Sequence, residues 1–128
     1  MNEEGGDARA IELFIAEQIP TVPHLEALLL LWNSAPQRWS AAGLSERLFV
    51  ADPTVSAIVQ ELATRGLIAT EDDQYWYQKG DESRDNIIEG VAAAYRQDLV
   101  GISNLIHSKA ANAVREFARA FRFTKERG

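Results

Sequence analysis

SAAGLSERLFVADPTVSAIVQELATRGLIATEDDQYWYQ, residues 40–78, is the stretch from which the fold can be read. Ser40 suits the N-cap of a short helix over about 41–49, which Gly43 weakens and which therefore needs packing to hold it. Val50 and Ala51 make a turn. Asp52-Pro53 then signals a new helix, a carboxylate able to cap it followed by proline at the first helical position. This helix runs to about Arg65, with Val55, Ile58, Val59 and Leu62 on its core face and Gly66 as the left-handed stop. Leu67 to Thr70 and Gln74 to Gln78 read as two strands joined by the turn-rich Glu71-Asp72-Asp73. Strict alternation sends Ile68 and Trp76 to one face and Tyr75 and Tyr77 to the other. Gly80-Asp81 closes the hairpin. The order is helix, turn, helix, hairpin.

On the N-terminal side, residues 1–7 read as a flexible tail. Asp7 can cap a helix over 8–20, where Ile11, Leu13, Phe14 and Ile15 supply an apolar stripe. Pro20 and Pro23 break the chain, and a helix follows from about Pro23 to Asn33. Leu25, Leu28, Leu29 and Trp32 share one face of it, while Leu30 and Leu31 add apolar surface beyond that face. Either a central helix packed on two sides or a subunit contact accounts for the surplus. Ala35-Pro36 ends this helix, and residues 37–40 can form a short strand carrying Trp39. From Glu82 the pattern is helical nearly to the end. Ile88, Val91 or Ala92, Tyr95, Leu99, Ile102 and Ile106 form a narrow seam suited to another helix. Gly101 and the segment HSKAAN interrupt it. Ser108 could cap a last helix over 109–123 bearing Val114, Phe117, Ala118 and Phe121, and one bent helix or two fits the pattern equally. The chain thus divides into a tail (1–7), an N-terminal helix (8–20), a central unit (21–80) and a C-terminal helical segment (81–128).

A chain of 128 residues fits one domain with its own core. Without cysteine there is no disulfide, thiolate metal site or cysteine nucleophile. His24 and His107 stand in no metal-ligand spacing, so neither a metal nor a cofactor is expected. The start, MNEEGGDARA, is acidic and lacks the basic-then-apolar pattern of a secretory signal. The run Leu28 to Trp32 is too short to span a bilayer, so a cytoplasmic protein away from the membrane is expected. The net charge of −6 is uneven: residues 1–81 hold 13 acidic and 5 basic side chains, residues 82–128 hold 6 and 8. Such asymmetry fits two parts that face different partners, or solvated faces that need none.

The segment LSERLFVADPTVSAIVQELATRGLIATEDDQYWYQ resembles the winged helix-turn-helix of the MarR-type bacterial regulators. The likeness rests on Leu44 to Leu48 in the supporting helix, Thr54-Val55-Ser56 opening the next, and Leu62 followed by Arg65-Gly66-Leu67-Ile68 leading into the wing. It implies a mainly α fold with a small β-hairpin wing, flanked by N- and C-terminal helices that form a homodimer. It also implies a DNA-binding transcriptional regulator, with a recognition helix over about 53–65 in the major groove and the wing on the backbone or minor groove. On the matching positions, Thr54, Ser56, Ala57, Gln60 and Arg65 are the reading candidates, with Glu61 beside them. Arg38, Ser40, Arg47 and Lys79 are the candidates for the DNA backbone. Gln60 could pair with adenine, and Thr54 and Ser56 could reach bases or phosphates.

Two departures weigh against strong DNA binding. Ala57 stands where many relatives have arginine, and Asp72 and Asp73 stand where relatives have a basic wing tip. Phosphate contacts by Lys and Arg supply most of the affinity for DNA. A second reading follows, a winged-helix module that has lost DNA binding and contacts a protein through Glu71 to Asp73 and exposed Tyr75 and Tyr77. The C-terminal Arg115, Arg119 and Arg122 share a helical face, where they could anchor nucleic acid or cover apolar surface with their stems. Trp32, Trp39 and Tyr95 could line a small-molecule pocket, but aromatic residues at such spacings more often form core, and no effector is assigned. An enzyme is not expected: the Glu71 to Asp73 carboxylates sit on a turn, His24 reads as a capping or surface residue, His107 has no acidic neighbour, and no phosphate-binding glycine loop is present.

Overall fold

The computed structural model of the chain describes residues 2–108. Its elements are α1 (Asn2–Gln18), α2 (Val22–Ser34), β1 (Trp39–Ser40), α3 (Ala41–Leu48), α4 (Asp52–Thr64), β2 (Ala69–Glu71), β3 (Gln74–Trp76) and α5 (Glu82–Gln97). A further helix, α6, begins at residue 99 and continues through residue 108, the last one described. The fold is mainly α with a three-stranded antiparallel sheet in the order β1-β3-β2. It is a winged helix with helices on either side, as the sequence implied.

Helix α1 begins upstream of the Asp7-Ala8 start, so its bounds reach into the stretch read as a tail. Ile15 and Ile19 are fully buried, but Leu13 is 49% exposed and leaves the expected stripe. Helix α2 starts at Thr21, whose hydroxyl oxygen accepts the His24 backbone N–H at 3.3 Å. Leu25, Ala27, Leu28, Leu29 and Leu31 are buried around much of its circumference. The cause is position: α2 lies against α3 and α4 as well as α5 and β3. Its surplus apolar surface is therefore covered within the chain. Where α1 crosses α5, a Cβ on Gly90 would lie 2.8 Å from Ile11 Cδ1, so a larger residue there would have to push the end of that side chain aside.

Ser40 caps α3 as read, its hydroxyl oxygen accepting the Gly43 N–H at 3.0 Å. The start of α4 differs. Ala51 is the N-cap, without a side-chain hydrogen bond, and Asp52 lies inside the first turn. There its carboxylate meets the positive end of the helix dipole instead of capping it. Val55, Ile58, Val59 and Leu62 are buried as the spacing predicted. At the far end Gly66 (φ 79°) donates to the Ala63 carbonyl and Leu67 to the Leu62 carbonyl, both at 3.0 Å. That is the left-handed stop read from Gly66.

The wing turns on Asp72-Asp73, both with positive φ (54° and 61°). This is the two-residue primed turn whose twist matches the flanking strands, and aspartate tolerates it. The alternation expected beyond it does not hold. Tyr75, Trp76 and Tyr77 are all buried, at 7%, 9% and 0% exposure. β3 is the central strand, with Trp39 opposite Tyr75 on one side and Ala69 opposite Trp76 on the other. The strand ends at Trp76, so Tyr77 no longer follows the pleat. Trp76 is covered by the Arg38 guanidinium, 3.8 Å from its ring centre. The exposed tyrosine surface expected for a protein partner is thus absent.

Arg84 of α5 ties the wing base together. Its guanidinium donates to the Gly66 carbonyl at 2.7 Å, the Gln78 carbonyl at 2.9 Å and the Tyr77 hydroxyl at 3.2 Å. Among the described residues the helical tail breaks at Asp98 and not at Gly101, while most of HSKAAN lies outside them. Asp98 donates its N–H to the Ala94 carbonyl at 2.8 Å, ending α5. Its carboxylate accepts the Gly101 N–H at 3.0 Å, starting α6. The expected helix over 109–123, with Val114, Phe117, Ala118 and Phe121, lies outside the described residues.

Candidate nucleic-acid interface

The α3–turn–α4 elbow is fixed by its own short polar bonds. Ser45 Oγ donates to the Val50 carbonyl, and the Val50 N–H donates back to the Ser45 carbonyl at 3.2 Å. Leu44 and the four buried α4 residues belong to one core cluster with α2. Helix α4 is thereby held on its inner side and open on its outer side. Thr54, Ala57 and Gln60 are exposed and Ser56 half-buried. Among the described residues the side chains of Thr54, Ser56 and Gln60 have no hydrogen-bond partner, so their donors and acceptors remain available.

Glu61, read as another outward residue, is instead a bridge. One carboxylate oxygen meets His24 Nε2 at 2.8 Å, and the other accepts from Arg65 Nη2 at 2.9 Å and Nε at 3.3 Å. His24 Nδ1 lies 2.7 Å from Thr21 Oγ1. Arg65 Nη1 donates to the Glu17 carbonyl at 3.1 Å, which carries the network to α1. His24 is 8% exposed and lies between Thr21 and Glu61, neither a cap nor a surface residue. Hydrogen bonds from Arg65 first, then His24, hold the Glu61 carboxyl below its ordinary value. This bridge joins positions 37 residues apart, and one sequence offers no local signal for such a pairing.

The cations expected at the interface have mostly found partners inside the chain. Arg65 is bound to Glu61 and the end of α1. Arg38 stacks on Trp76 and lies 3.5 Å from Glu71. Lys79 Nζ lies 4.3 Å from the Trp32 ring centre. Ser40 uses its hydroxyl oxygen as a cap. Of the predicted cations in the winged helix, Arg47 alone has no side-chain partner among the described residues. Arg115, Arg119 and Arg122 lie outside the described residues.

At the wing base the Tyr77 hydroxyl donates to Asp85 at 2.7 Å. Burial, and then this bond, push the phenol up to about 12. The same bond, with one from the Gly80 N–H, holds the Asp85 carboxyl below its usual range. The aromatic residues considered for an effector pocket are separately engaged. The Trp32 ring meets Tyr77 edge-on at 5.0 Å, Trp39 Nε1 donates to Ser34 Oγ at 2.9 Å, and the Tyr95 hydroxyl donates to Glu26 at 3.0 Å. Two concavities lie elsewhere. One, of about 350 Å³, is lined by Thr21, Pro23, His24, Thr54, Ala57, Ile58 and Glu61, beside the outer face of α4. The other, of about 380 Å³, lies between α1 and α5 around Ile11 and Ile87. No group of three or more potential metal ligands occurs among the described residues, and none of the described helices is long and apolar enough to cross a membrane.

No family model and no curated protein matches the sequence. Solved structures do match. A MarR family protein from Bacillus stearothermophilus is 20% identical, with a TM-score of 0.51, over 97% of this chain and 86% of that one. The multiple antibiotic-resistance repressor MarR of Listeria monocytogenes is 18% identical, with a TM-score of 0.49, over 97% of this chain and 89% of its own. The first of these carries the fold assignment. The chain has a MarR-like winged-helix fold.

Proposed function

We propose that the chain is a cytoplasmic transcriptional regulator that binds duplex DNA as a homodimer, with α4 as the reading helix. The observation that carries this reading is the two-sided character of α4. Its inner face is anchored in the core and through Glu61, while its outer face offers Thr54, Ala57 and Gln60 to solvent. Thr54 and Gln60 present neutral donors and acceptors suited to base edges, and Ala57 allows close approach. Phosphate grip is sparse, so a second subunit brought in by the flanking helices has to double it. No cofactor, metal or catalytic role is proposed. Equilibrium binding to a random-sequence duplex across a salt series tests the reading. Measurable binding at low salt that falls as salt rises supports it, and no binding at low salt removes it.

One observation favours a second reading, an interaction module for a basic protein. Arg38, Arg65 and Lys79 are engaged within the chain, while Glu71, Asp72 and Asp73 stay exposed at the wing. In the regulator reading, Arg115, Arg119 and Arg122 are either a DNA anchor or part of the dimer packing. Reversing all three charges separates these: loss of DNA binding with the dimer intact assigns the anchor, and loss of the dimer assigns packing.

A further inference from the structure

Among the described residues nothing accounts for Phe49. It ends α3 in the left-handed region (φ 58°, ψ 43°), a conformation suited to glycine and costly for a bulky side chain. Its ring is 93% exposed, so burial does not offset that cost. For the fold alone glycine would serve better at this position. Arg47, in the last turn of the same helix, is the predicted cation without a partner among the described residues. Val50 and Ala51 then lead into the first turn of α4. Asp52 there sits on the positive end of its own helix, which offsets its charge. An exposed apolar ring and an unpaired guanidinium therefore stand together where the chain enters the reading helix.

We propose that this elbow is a duplex-DNA contact, with Phe49 packing against sugar and base edge at the rim of the groove and Arg47 on an adjacent phosphate. The inference rests on the DNA-binding reading and adds to it a contact outside α4 and outside the wing. Duplex DNA fits because it offers an anion beside apolar surface, namely deoxyribose and the thymine methyl group. A basic protein partner would leave Arg47 facing like charge.

The test is fluorescence anisotropy with a labelled random-sequence duplex and the full-length chain, with thermal melting and sedimentation run alongside. Phe49→Gly and Phe49→Asn both suit a left-handed turn, so both should melt at or above the wild-type temperature. Both are expected to bind DNA about tenfold more weakly, the effect of losing one apolar base contact. Arg47→Gln should weaken binding at low salt and lower the salt slope by about one. If the wild type binds DNA, Gln60→Ala weakens it and both Phe49 variants bind unchanged, the elbow contact is overturned and the reading helix stands. If the Phe49 variants change the oligomeric state without changing DNA affinity, the ring belongs to a subunit contact and the proposal is overturned. If the wild type fails to bind at low salt, the elbow contact and the DNA reading fall together.

Discussion

Helix α4 and the β2–β3 wing leave the same core but meet solvent on different terms. α4 buries Val55, Ile58, Val59 and Leu62 and turns neutral Thr54, Ala57 and Gln60 outward. The wing buries Tyr75, Trp76 and Tyr77 and turns Glu71, Asp72 and Asp73 outward. Both are firmly supported, α4 through Glu61 and the wing through Arg84, so the contrast lies in surface chemistry. A helix with unspent hydrogen-bonding groups can read a base edge. A hairpin whose nearby cations cover Trp76 of its own strand and Trp32 of α2 has little left for a phosphate. The cations near the wing are engaged within the chain, whereas Arg47 in the elbow before α4 has no side-chain partner among the described residues.

The largest expected effect comes from removing the support of α4. Leu62→Ala leaves a cavity in the shared core and should cost about 2–5 kcal/mol in denaturant unfolding. If it costs under about 1 kcal/mol, α4 is not packed as described. Arg84→Ala strikes the wing base and, through the Gly66 carbonyl, the stop at the end of α4. It removes three hydrogen bonds and a cation 5.2 Å from the centre of the Tyr77 ring. A loss of roughly 2 kcal/mol is expected by the same measurement. The perturbation should show by NMR around Tyr77 and Gly66 while the amide shifts in the first two turns of α4 stay in place.

Charge at the wing tip probes the contrast directly. Asp72→Lys with Asp73→Lys should raise affinity for random duplex about tenfold at low salt and steepen its salt dependence. An unchanged affinity would mean that the wing tip stays away from the duplex. A milder change addresses only the turn. Asp72→Asn with Asp73→Gly supplies the pair preferred for a primed two-residue hairpin, and a gain of about 0.5–1 kcal/mol is expected in thermal melting.

The smallest effects should come from pH, and their signs differ at the two ends. Glu61 and Asp85 lie below their ordinary values of 4.5 and 3.8. The stability they contribute is full above those values and is lost as pH falls through the lowered ones. Tyr77 is raised from 10.0 to about 12, so its contribution is full below pH 10 and is lost as pH climbs toward 12. Tyr77→Phe should flatten the alkaline side of a melting-temperature profile, and Glu61→Gln should flatten part of the acid side. Unchanged profiles would show that neither group titrates differently in the folded and unfolded chain.

Much of α4 was legible because its signals are local. A period of three to four picked out its core face, and Gly66 marked its stop through a backbone preference that one residue carries. Ser40 was legible as a cap for the same reason. Asp52 was read as a cap and is not one, since a carboxylate before proline can occupy either the cap or the first turn. The wing was legible as a hairpin but not in its faces. Alternation assumes a strand with one wet side, whereas β3 is central, short and roofed by Arg38. Within the described part of the C-terminal helical segment, Gly101 is the residue whose propensity suggests an interruption. Asp98 makes it, serving both helices through bonds a propensity scale does not contain.

The order of elements, the inner face of α4, the turn residues and the shortage of cations around the winged helix are all legible in the chain itself. These follow from spacing, backbone preference and charge count, which neighbours in the chain carry. Packing between elements settled which cations remain available. Arg38 meets Trp76, Lys79 meets Trp32, and Arg65 meets Glu61 and the end of α1, and most of these partners come from other elements. It also decided that Glu61 is a bridge and that Phe49 stands in water. Burial and pairing depend on what packs against a residue from elsewhere in the fold, and that is information a local pattern does not hold.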